Sequence, residues 1–339
     1  MTLFNFDEAR FLGIQSGAVA LAPDIHRILG QCLSTGAQNI FFLGTGGAAI
    51  LMQPAAQLMQ RRSGFPTFME ISAELVAGGH AALGSHSIAV IPSLSGTTKE
   101  SIAAMDYCKS KGATVISLVG HKDSPLGQGA HHALVNFAED DTSPESFYIQ
   151  SLLIALAAMS HRGEYSAFNE TVAELQALPA ALLDAKRAFE AEAAKLAERF
   201  KNEPYHIVTA AGPCWPQAWY YGMCILEEMQ WIRTRPIHAA DFFHGTLELV
   251  EKGVSLIVLK GEDPSRGLAD RVESFARQYT DKLCVLDTAQ YELKGLSAAI
   301  RALVAPAVLA ALLERLSAHL EVKRNHPLTT RRYYKKVSY

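Results

Sequence analysis

The amino-acid sequence predicts an α/β fold with two doubly wound parallel-sheet domains related by internal duplication. From about residue 38, short apolar runs alternate with helical patterns, which is typical of βαβ units and a parallel sheet. The same order of elements then repeats, and Gly212 lies where Gly44 lies in the first half, a period of about 170 residues. Residues 168–199 separate the halves and are dense in Ala, Leu, Glu and Lys at helical spacing.

The first half contains the patterns of one complete sheet. Its strands are short and apolar, as expected for parallel strands that are buried on both faces. Pro179 predicts a break in the helical stretch that follows this half. The predicted strands are 39–43, 67–71, 87–92, 113–119 and 133–137, and the predicted helices include a segment ending at Arg62, 98–110 and 145–161.

The second half follows the same pattern. Glu74 corresponds to Asp241, and Pro92 corresponds to Lys260 within about one residue. Together with the two glycines, this agreement at three separated positions favours duplication over the general likeness of all α/β units. The elements predicted here are a strand at 205–210, a helix through Trp231 and a strand at 254–259.

Length and composition restrict the class of protein. A chain of 339 residues suffices for two domains with separate cores. The net charge of −3 argues against nucleic-acid binding, which requires a basic face. No apolar stretch approaches the roughly 20 residues of a membrane helix, and the first 20 residues lack the charge order of a signal peptide. The predicted organisation is an N-terminal domain over 1–165, a helical connector over 166–200, a C-terminal domain over 201–325 and a tail over 326–339.

The cysteines indicate a reducing compartment. There are 5 of them, they are scattered, and none forms a CxxC pair. This usage predicts ordinary buried thiols rather than disulfides or a zinc site, and hence a cytoplasmic protein. The positions are Cys32, Cys108, Cys214, Cys224 and Cys284.

A hydroxyl-rich loop, Ser93-Leu94-Ser95-Gly96-Thr97-Thr98, lies between a predicted buried strand and a predicted helix. Free N–H groups and the positive dipole end of a helix attract anions, so the loop is a candidate phosphate site without any basic side chain. The alternative is a plain helix cap, but one hydroxyl suffices for that. The second half has Lys260–Ser265 at the equivalent place, and Glu262 and Asp263 there would repel phosphate.

Glu228 and His244 are the candidate catalytic residues. At about 100° per residue, Glu228 falls among apolar neighbours of the predicted helix, whereas Glu227 points to water. A carboxylate among apolar neighbours tends towards a raised pKa, which suits proton transfer near neutral pH. His244 lies in a predicted loop beside Phe243 and Gly245. A histidine at such a position is most often a packed or surface residue, and the polar residues near it make a functional role the alternative.

A metal site is not expected. His238, Asp241 and His244 carry groups that bind metals, but their spacing matches no ligand pair of a helix. Pro236 also predicts an irregular segment at this point in the chain.

The loop, the strand ending at Gly44 and the duplicated layout resemble the proteins with two sugar-isomerase (SIS) domains, which include the isomerase half of glucosamine-6-phosphate synthase. The resemblance covers about residues 15–339. It implies that the loop binds a sugar 6-phosphate and that Glu228 and His244 occupy the catalytic positions. Leu94 and Thr97 replace the usual glutamine and glutamate. The implied substrate-binding residues are Gly44, Thr45, Gly46, Ser93, Ser95, Gly96, Thr97 and Thr98.

A closer resemblance is to the deglycases that cleave 6-phosphorylated fructosamine or glucosamine-type adducts of amino acids. Residues 228–232, 242–245 and 326–333 carry it. It implies that Glu145 lies near the sugar, that the tail closes over the active site and that the histidine reaches a partner subunit's site. The implied assembly is a homodimer or a dimer of dimers, and the chemistry needs no cofactor. Arg331 is a candidate contact for a substrate carboxylate.

Two alternative functions stay open. An aldose–ketose phosphate isomerase or an amino-sugar-phosphate deaminase needs the same base and the same phosphate loop. A sugar-phosphate sensor without turnover is the other alternative. Such sensors usually carry a DNA-binding helix-turn-helix, for which the N-terminal segment is short and not basic.

Overall fold

The computed structural model describes residues 2–138, 144–334, 336 and 337, and it consists of two compact units. The N-terminal unit contains Glu8–Pro179 and Gly295–Ile300. The C-terminal unit contains Met1–Asp7, Ala180–Lys294 and Arg301–Tyr339.

The N-terminal unit is built on a sheet of five parallel strands in the order β2-β1-β3-β4-β5. Ile88 and Ala89 are adjacent in β3 and point to opposite faces, yet both are fully buried. Helices therefore cover both faces, as a doubly wound fold requires. The strands are β1 Asn39–Phe42, β2 Thr67–Met69, β3 Ser87–Ser93, β4 Thr114–Val119 and β5 His132–Val135. The helices are α1 Glu8–Ala20, α2 Ala22–Ser34, α3 Gly46–Ile50, α4 Gln53–Arg62, α5 Ser72–Gly78, α6 Lys99–Ser110, α7 Pro125–Gly129, α8 Pro144–His161 and α9 Phe168–Leu175.

The C-terminal unit has four parallel strands in the order β7-β6-β8-β9, the same order as the first four strands of the other sheet. This confirms the predicted fold class and supports duplication. The strands are β6 Tyr205–Ala210, β7 Arg233–His238, β8 Ser255–Lys260 and β9 Lys282–Asp287. The helices are α10 Leu178–Phe200, α11 Trp215–Tyr220, a π-helix Tyr221–Glu227, α12 Arg266–Tyr279, α13 Ala298–Lys323 and three 3-10 turns at Gly212–Cys214, Thr246–Leu249 and Thr288–Gln290.

Several predicted elements need correction. The helix expected to end at Arg62 is two helices, α3 and α4, and the helix expected to reach Trp231 is α-helical only as far as Tyr220. Pro236 does not mark an irregular segment, because it lies inside β7. That strand is at the sheet edge and pairs only with β6, which lets it accept a residue without an N–H group. The break predicted near Pro179 is confirmed, since α9 ends at Leu175.

A buried ion network joins α10 to α13. Lys186 Nζ donates to Glu314 Oε2 at 2.8 Å and to the Ala311 carbonyl at 3.2 Å. Arg315 Nε donates to the same Glu314 oxygen at 2.7 Å. Burial alone would raise the pKa of Glu314, but the two cations lower it below its ordinary value. The network therefore holds a charged carboxylate inside the unit.

In the described part of the chain, none of the helices has the length and apolar character needed to cross a membrane.

Candidate active site

The hydroxyl loop follows β3 at the carboxyl edge of the first sheet and leads into α6. Gly96 at its centre has φ +63, and a Cβ added there would lie 2.0 Å from Ser124 Oγ. The Leu126 N–H also donates to the Gly96 carbonyl at 3.1 Å. Only glycine fits this position, since it combines a left-handed backbone with close packing.

The hydroxyl groups of the loop contact one another. Ser93 Oγ lies 3.0 Å from Thr98 Oγ1, and Thr97 Oγ1 donates to Ser95 Oγ at 2.9 Å. Thr98 is the N-cap residue of α6, but its side chain makes no capping hydrogen bond. The predicted alternative, a plain cap, is therefore not what these side chains form. Hydroxyl groups and the N–H groups of the first helical turn together can surround a phosphate.

The segment after β1 lies beside this loop, because β1 and β3 are adjacent strands. Gly44 has φ +151, and a Cβ added there would approach the Ala49 Cα to 2.8 Å. Thr45 Oγ1 is buried and has no hydrogen-bond partner among the described residues. Gly46 has φ +55 and open space around it. In this strand order the chain leaves β1 and β3 in opposite directions, which opens the crevice where doubly wound folds bind ligands.

Glu145 is fully buried in the first turn of α8. Its predicted place near the sugar stays a prediction.

Glu228 follows the π-helix of the C-terminal unit. Its N–H donates to the Met223 carbonyl, five residues back, at 3.1 Å, and the Gln230 N–H donates to the Ile225 carbonyl at 3.0 Å. The spacing of 100° per residue that is expected of an α-helix therefore does not hold here. Glu227 is exposed and accepts hydrogen bonds from Thr234, whereas 32% of the Glu228 side chain is exposed. Such π-helical turns are frequent at functional sites.

The C-terminal tail packs against this turn. Arg331 Nε lies 2.9 Å from Glu228 Oε1, and the Arg331 side chain is only 14% exposed. Gln230 Nε2 donates to the His326 carbonyl at 2.7 Å. Arg331, proposed from the sequence as a contact for a substrate carboxylate, thus binds a carboxylate of the protein itself. The tail is brought to Glu228 within one unit.

A cavity of about 760 Å³ lies between the turn, the tail and the first residues of β6 and β7. Trp231 follows the π-helical turn and has φ +57, and no pattern in the sequence predicted it as a site residue. A tryptophan in this left-handed conformation is uncommon, and such outliers cluster at functional sites. The lining residues are Tyr205, Glu227, Glu228, Trp231, Ile232, Arg233, Thr234, Arg331, Arg332, Tyr333 and Tyr334.

His244 does not line this cavity. It is exposed in the turn after β7, with its N–H donating to the Asp241 carbonyl at 2.9 Å. Glu228 precedes β7 and His244 follows it, so the two residues lie towards opposite ends of this strand. Among the residues that the structure describes, no three His, Cys, Asp or Glu side chains are grouped as metal ligands.

The two parallel sheets, the crevice at the first sheet and the carboxylate cavity at the second define a duplicated α/β protein of the doubly wound class. Residues 35–160 match the model of the SIS domain. The chain is 30% identical over 303 residues to fructosamine deglycase FrlB of Bacillus subtilis (strain 168), covering 89% of this chain and 92% of that protein. The chain belongs to this family of SIS-domain proteins.

Two further comparisons agree. Fructoselysine 6-phosphate deglycase of Escherichia coli (strain K12) is 26% identical over 312 residues, covering 92% of this chain and 90% of that protein. The crystal structure of a protein designated a phosphosugar isomerase from Bacillus subtilis has a TM-score of 0.88 and 29% identity, covering 95% of this chain and 99% of the other.

Proposed function

We propose that the protein is a deglycase that cleaves a 6-phosphorylated, Amadori-type sugar–amino acid adduct to a hexose 6-phosphate and a free amino acid. The observation that carries the proposal is the Glu228 carboxylate, held by Arg331 at 2.9 Å in a cavity large enough for a substrate. The deglycases among the relatives match over most of the chain.

Glu228 moves one proton in the proposed reaction. A ketosamine has its amine on C1 and its carbonyl on C2. Removing a proton from C1 gives an enaminol, and returning it to C2 gives an imine at C1. Water then adds to the imine carbon, and the amino acid leaves with the nitrogen. One carboxylate can carry the proton across one face of the substrate, which contributes on the order of 10²–10⁴-fold. This route calls for no metal or organic cofactor.

The phosphate of the substrate binds the hydroxyl loop in this proposal. Ser93, Ser95 and Thr98 supply hydroxyl groups, and the N-terminus of α6 supplies N–H groups and dipole charge. The phosphate contacts are remote from the reacting carbons, and the binding energy that they supply positions these carbons for proton transfer. Gly44, Thr45 and Gly46 complete the crevice on the β1 side.

The active sites are shared between subunits of a homodimer in this proposal. His244 acts as general acid at the sugar ring oxygen or at the C2 oxygen. Within one chain, His244 and the turn that holds Glu228 lie at opposite ends of β7, whose six residues extend over about 20 Å. A partner subunit can bring its own histidine to the cavity of the first.

A coupled assay for glucose 6-phosphate release tests the reaction. Wild type, Glu228→Gln and Glu227→Gln are compared on 6-phosphorylated fructose and glucose adducts of several amino acids. Turnover of an adduct that is lost in Glu228→Gln and kept in Glu227→Gln supports the proposal and names the amino acid. Release from none of the adducts contradicts it, and turnover of amino-sugar or aldose phosphates instead would favour the deaminase or isomerase.

Mixing two inactive variants tests the shared site. Glu228→Gln and His244→Asn homodimers are each expected to be inactive. After subunit exchange, mixed dimers have one site with both native residues and should regain up to about half of the wild-type activity per dimer. If no activity returns although exchange is complete, the histidine acts within its own subunit or not at all.

A reducing, cytoplasmic location is also part of the proposal. Each of the five cysteines is a buried free thiol, which suits a compartment that keeps thiols reduced.

A further inference from the structure

The cavity beside Glu228 has an excess of cationic side chains. It is lined by three arginines and two glutamates. Both glutamates already have partners, because Glu227 accepts from Thr234 and Glu228 is paired with Arg331. Arg233 and Arg332 have no carboxylate partner among the described residues. A ligand with a negative charge therefore suits this end of the cavity.

Arg331 is not the residue that binds such a negatively charged ligand. Besides its Nε contact with Glu228, its Nη1 donates to the Leu328 carbonyl at 2.6 Å and to the Thr330 carbonyl at 3.1 Å. These bonds fix the guanidinium inside the tail. Arg331 is a positioning residue for Glu228.

Arg332, the next residue, is held in a different way. Its guanidinium carbon lies 4.0 Å from the centroid of the Trp231 ring. The ring also meets His326 edge to face, at 4.5 Å between centroids. An aromatic partner holds the guanidinium by its flat face and leaves its charge and its edge N–H groups unneutralised. The left-handed backbone of Trp231, φ +57, turns the chain at the residue that provides this ring.

The geometry points to Arg332, supported by Trp231, as the residue that binds the carboxylate of the amino-acid half of the substrate. This inference rests on the proposed deglycase function and names the residue that selects adducts whose leaving amine carries a carboxylate. An edge of a guanidinium binds a carboxylate through two parallel hydrogen bonds. Simple alkylamine adducts lack this group and are poor substrates.

The test compares two substrates on each enzyme variant. One is the 6-phosphorylated fructose adduct of the best amino acid from the panel, and the other is the adduct of the same amine without its carboxylate. Arg332→Met should lower kcat/KM for the first adduct by about 10- to 100-fold, the usual range for a charged hydrogen bond, and for the second by less than about threefold. Arg332→Lys keeps the charge without the planar fork and should fall between wild type and Arg332→Met.

Arg233→Met is the matched control, since Arg233 is an exposed arginine of the same cavity without an aromatic partner among the described residues. It should change the ratio of the two kcat/KM values by less than about threefold. Because the readout is a ratio on one enzyme preparation, loss of folded protein cancels.

The outcomes separate the two proposals. An equal loss on both adducts in Arg332→Met would mean that Arg332 binds the phosphate or maintains the tail, and it would overturn the carboxylate assignment alone. An unchanged rate on both adducts overturns it as well. Failure of wild type to release hexose phosphate from either adduct refutes the deglycase function, and the inference falls with it.

Discussion

Replacing His206 with asparagine is expected to make the free energy of unfolding of the C-terminal unit less sensitive to mild acid. His206 is fully buried in β6, its Nδ1 lies 2.7 Å from Ser255 Oγ, and its ring packs 4.7 Å from that of Phe200. Burial, and secondarily the positive charges of Arg324 and Lys282, lowers the pKa of His206 from 6.5 to about 4. The folded unit therefore keeps this imidazole neutral at pH values where an unfolded chain protonates it.

The size of the effect follows from the two pKa values of His206. The unfolded state gains protons below pH 6.5 and the folded state only near pH 4, so stability is complete above 6.5 and falls as the pH is lowered through this window. At 1.36 kcal/mol for each pH unit, the full loss is about 3 kcal/mol. Between pH 7 and pH 5 the loss attributable to His206 is about 2 kcal/mol.

Urea unfolding followed by tryptophan fluorescence measures this loss, since all 3 tryptophans lie in the C-terminal unit. The free energy of unfolding is compared between pH 7 and pH 5 in wild type and His206→Asn. Asparagine can still bond to Ser255 but does not titrate, so the free energy of unfolding of His206→Asn should depend less steeply on pH than that of wild type. Equal slopes in wild type and His206→Asn would refute the reasoning.

Three other substitutions have expected outcomes. Arg331→Met should lower kcat/KM by about 10- to 100-fold on adducts with and without the carboxylate alike, because it removes a charged hydrogen bond to the proposed base; steady-state kinetics on both adducts checks this. Gly96→Ala should destabilise its unit by about 1–3 kcal/mol in thermal unfolding, since the methyl group meets Ser124. It should also abolish the rise in Tm that the proposed phosphate binding predicts for wild type in inorganic phosphate. Lys186→Met should cost about 3–5 kcal/mol in urea unfolding at pH 7, and less as the pH falls through the lowered pKa of Glu314.

The sequence predicted the fold because its signals are local and repeated. Strand β3 consists of buried residues throughout, so its short apolar, β-branched run identified it, and the hydroxyl loop marked its end. Strand β9, which follows α12, was not predicted, because its buried and half-buried residues do not alternate regularly. The loop from Ser93 to Thr98 could be identified because it is rich in hydroxyl residues. In the structure each of these hydroxyl groups contacts another hydroxyl group, and Thr98 does not cap the helix.

The geometry around Glu228 could not be predicted from helical periodicity. A π-helix forms where packing favours an extra residue in a turn, and here Pro236 packs beside Gly222, where a Cβ would lie 2.7 Å from the Pro236 Cγ. Such long-range contacts leave no mark in a local pattern. The pairing of Glu228 with Arg331 likewise leaves no local signal, since the two residues are 103 positions apart in the sequence.

The loop of the second copy shows how the duplicated sheets diverged. In place of the hydroxyl groups, Glu262 binds Arg301 at 2.8 Å, and Asp263 accepts from the Ser265 N–H at 2.9 Å. The carboxylates are thereby neutralised or bonded inside the unit, at the edge where the first sheet has its candidate phosphate site. The cavity with Glu228 instead lies at the first residues of β6 and β7, which are the amino ends of these strands of the second sheet. Since the two sites use opposite strand ends of two sheets, a substitution in one need not strain the strands that form the other. Duplication thus leaves the candidate phosphate loop and the turn that holds Glu228 on separate sheets.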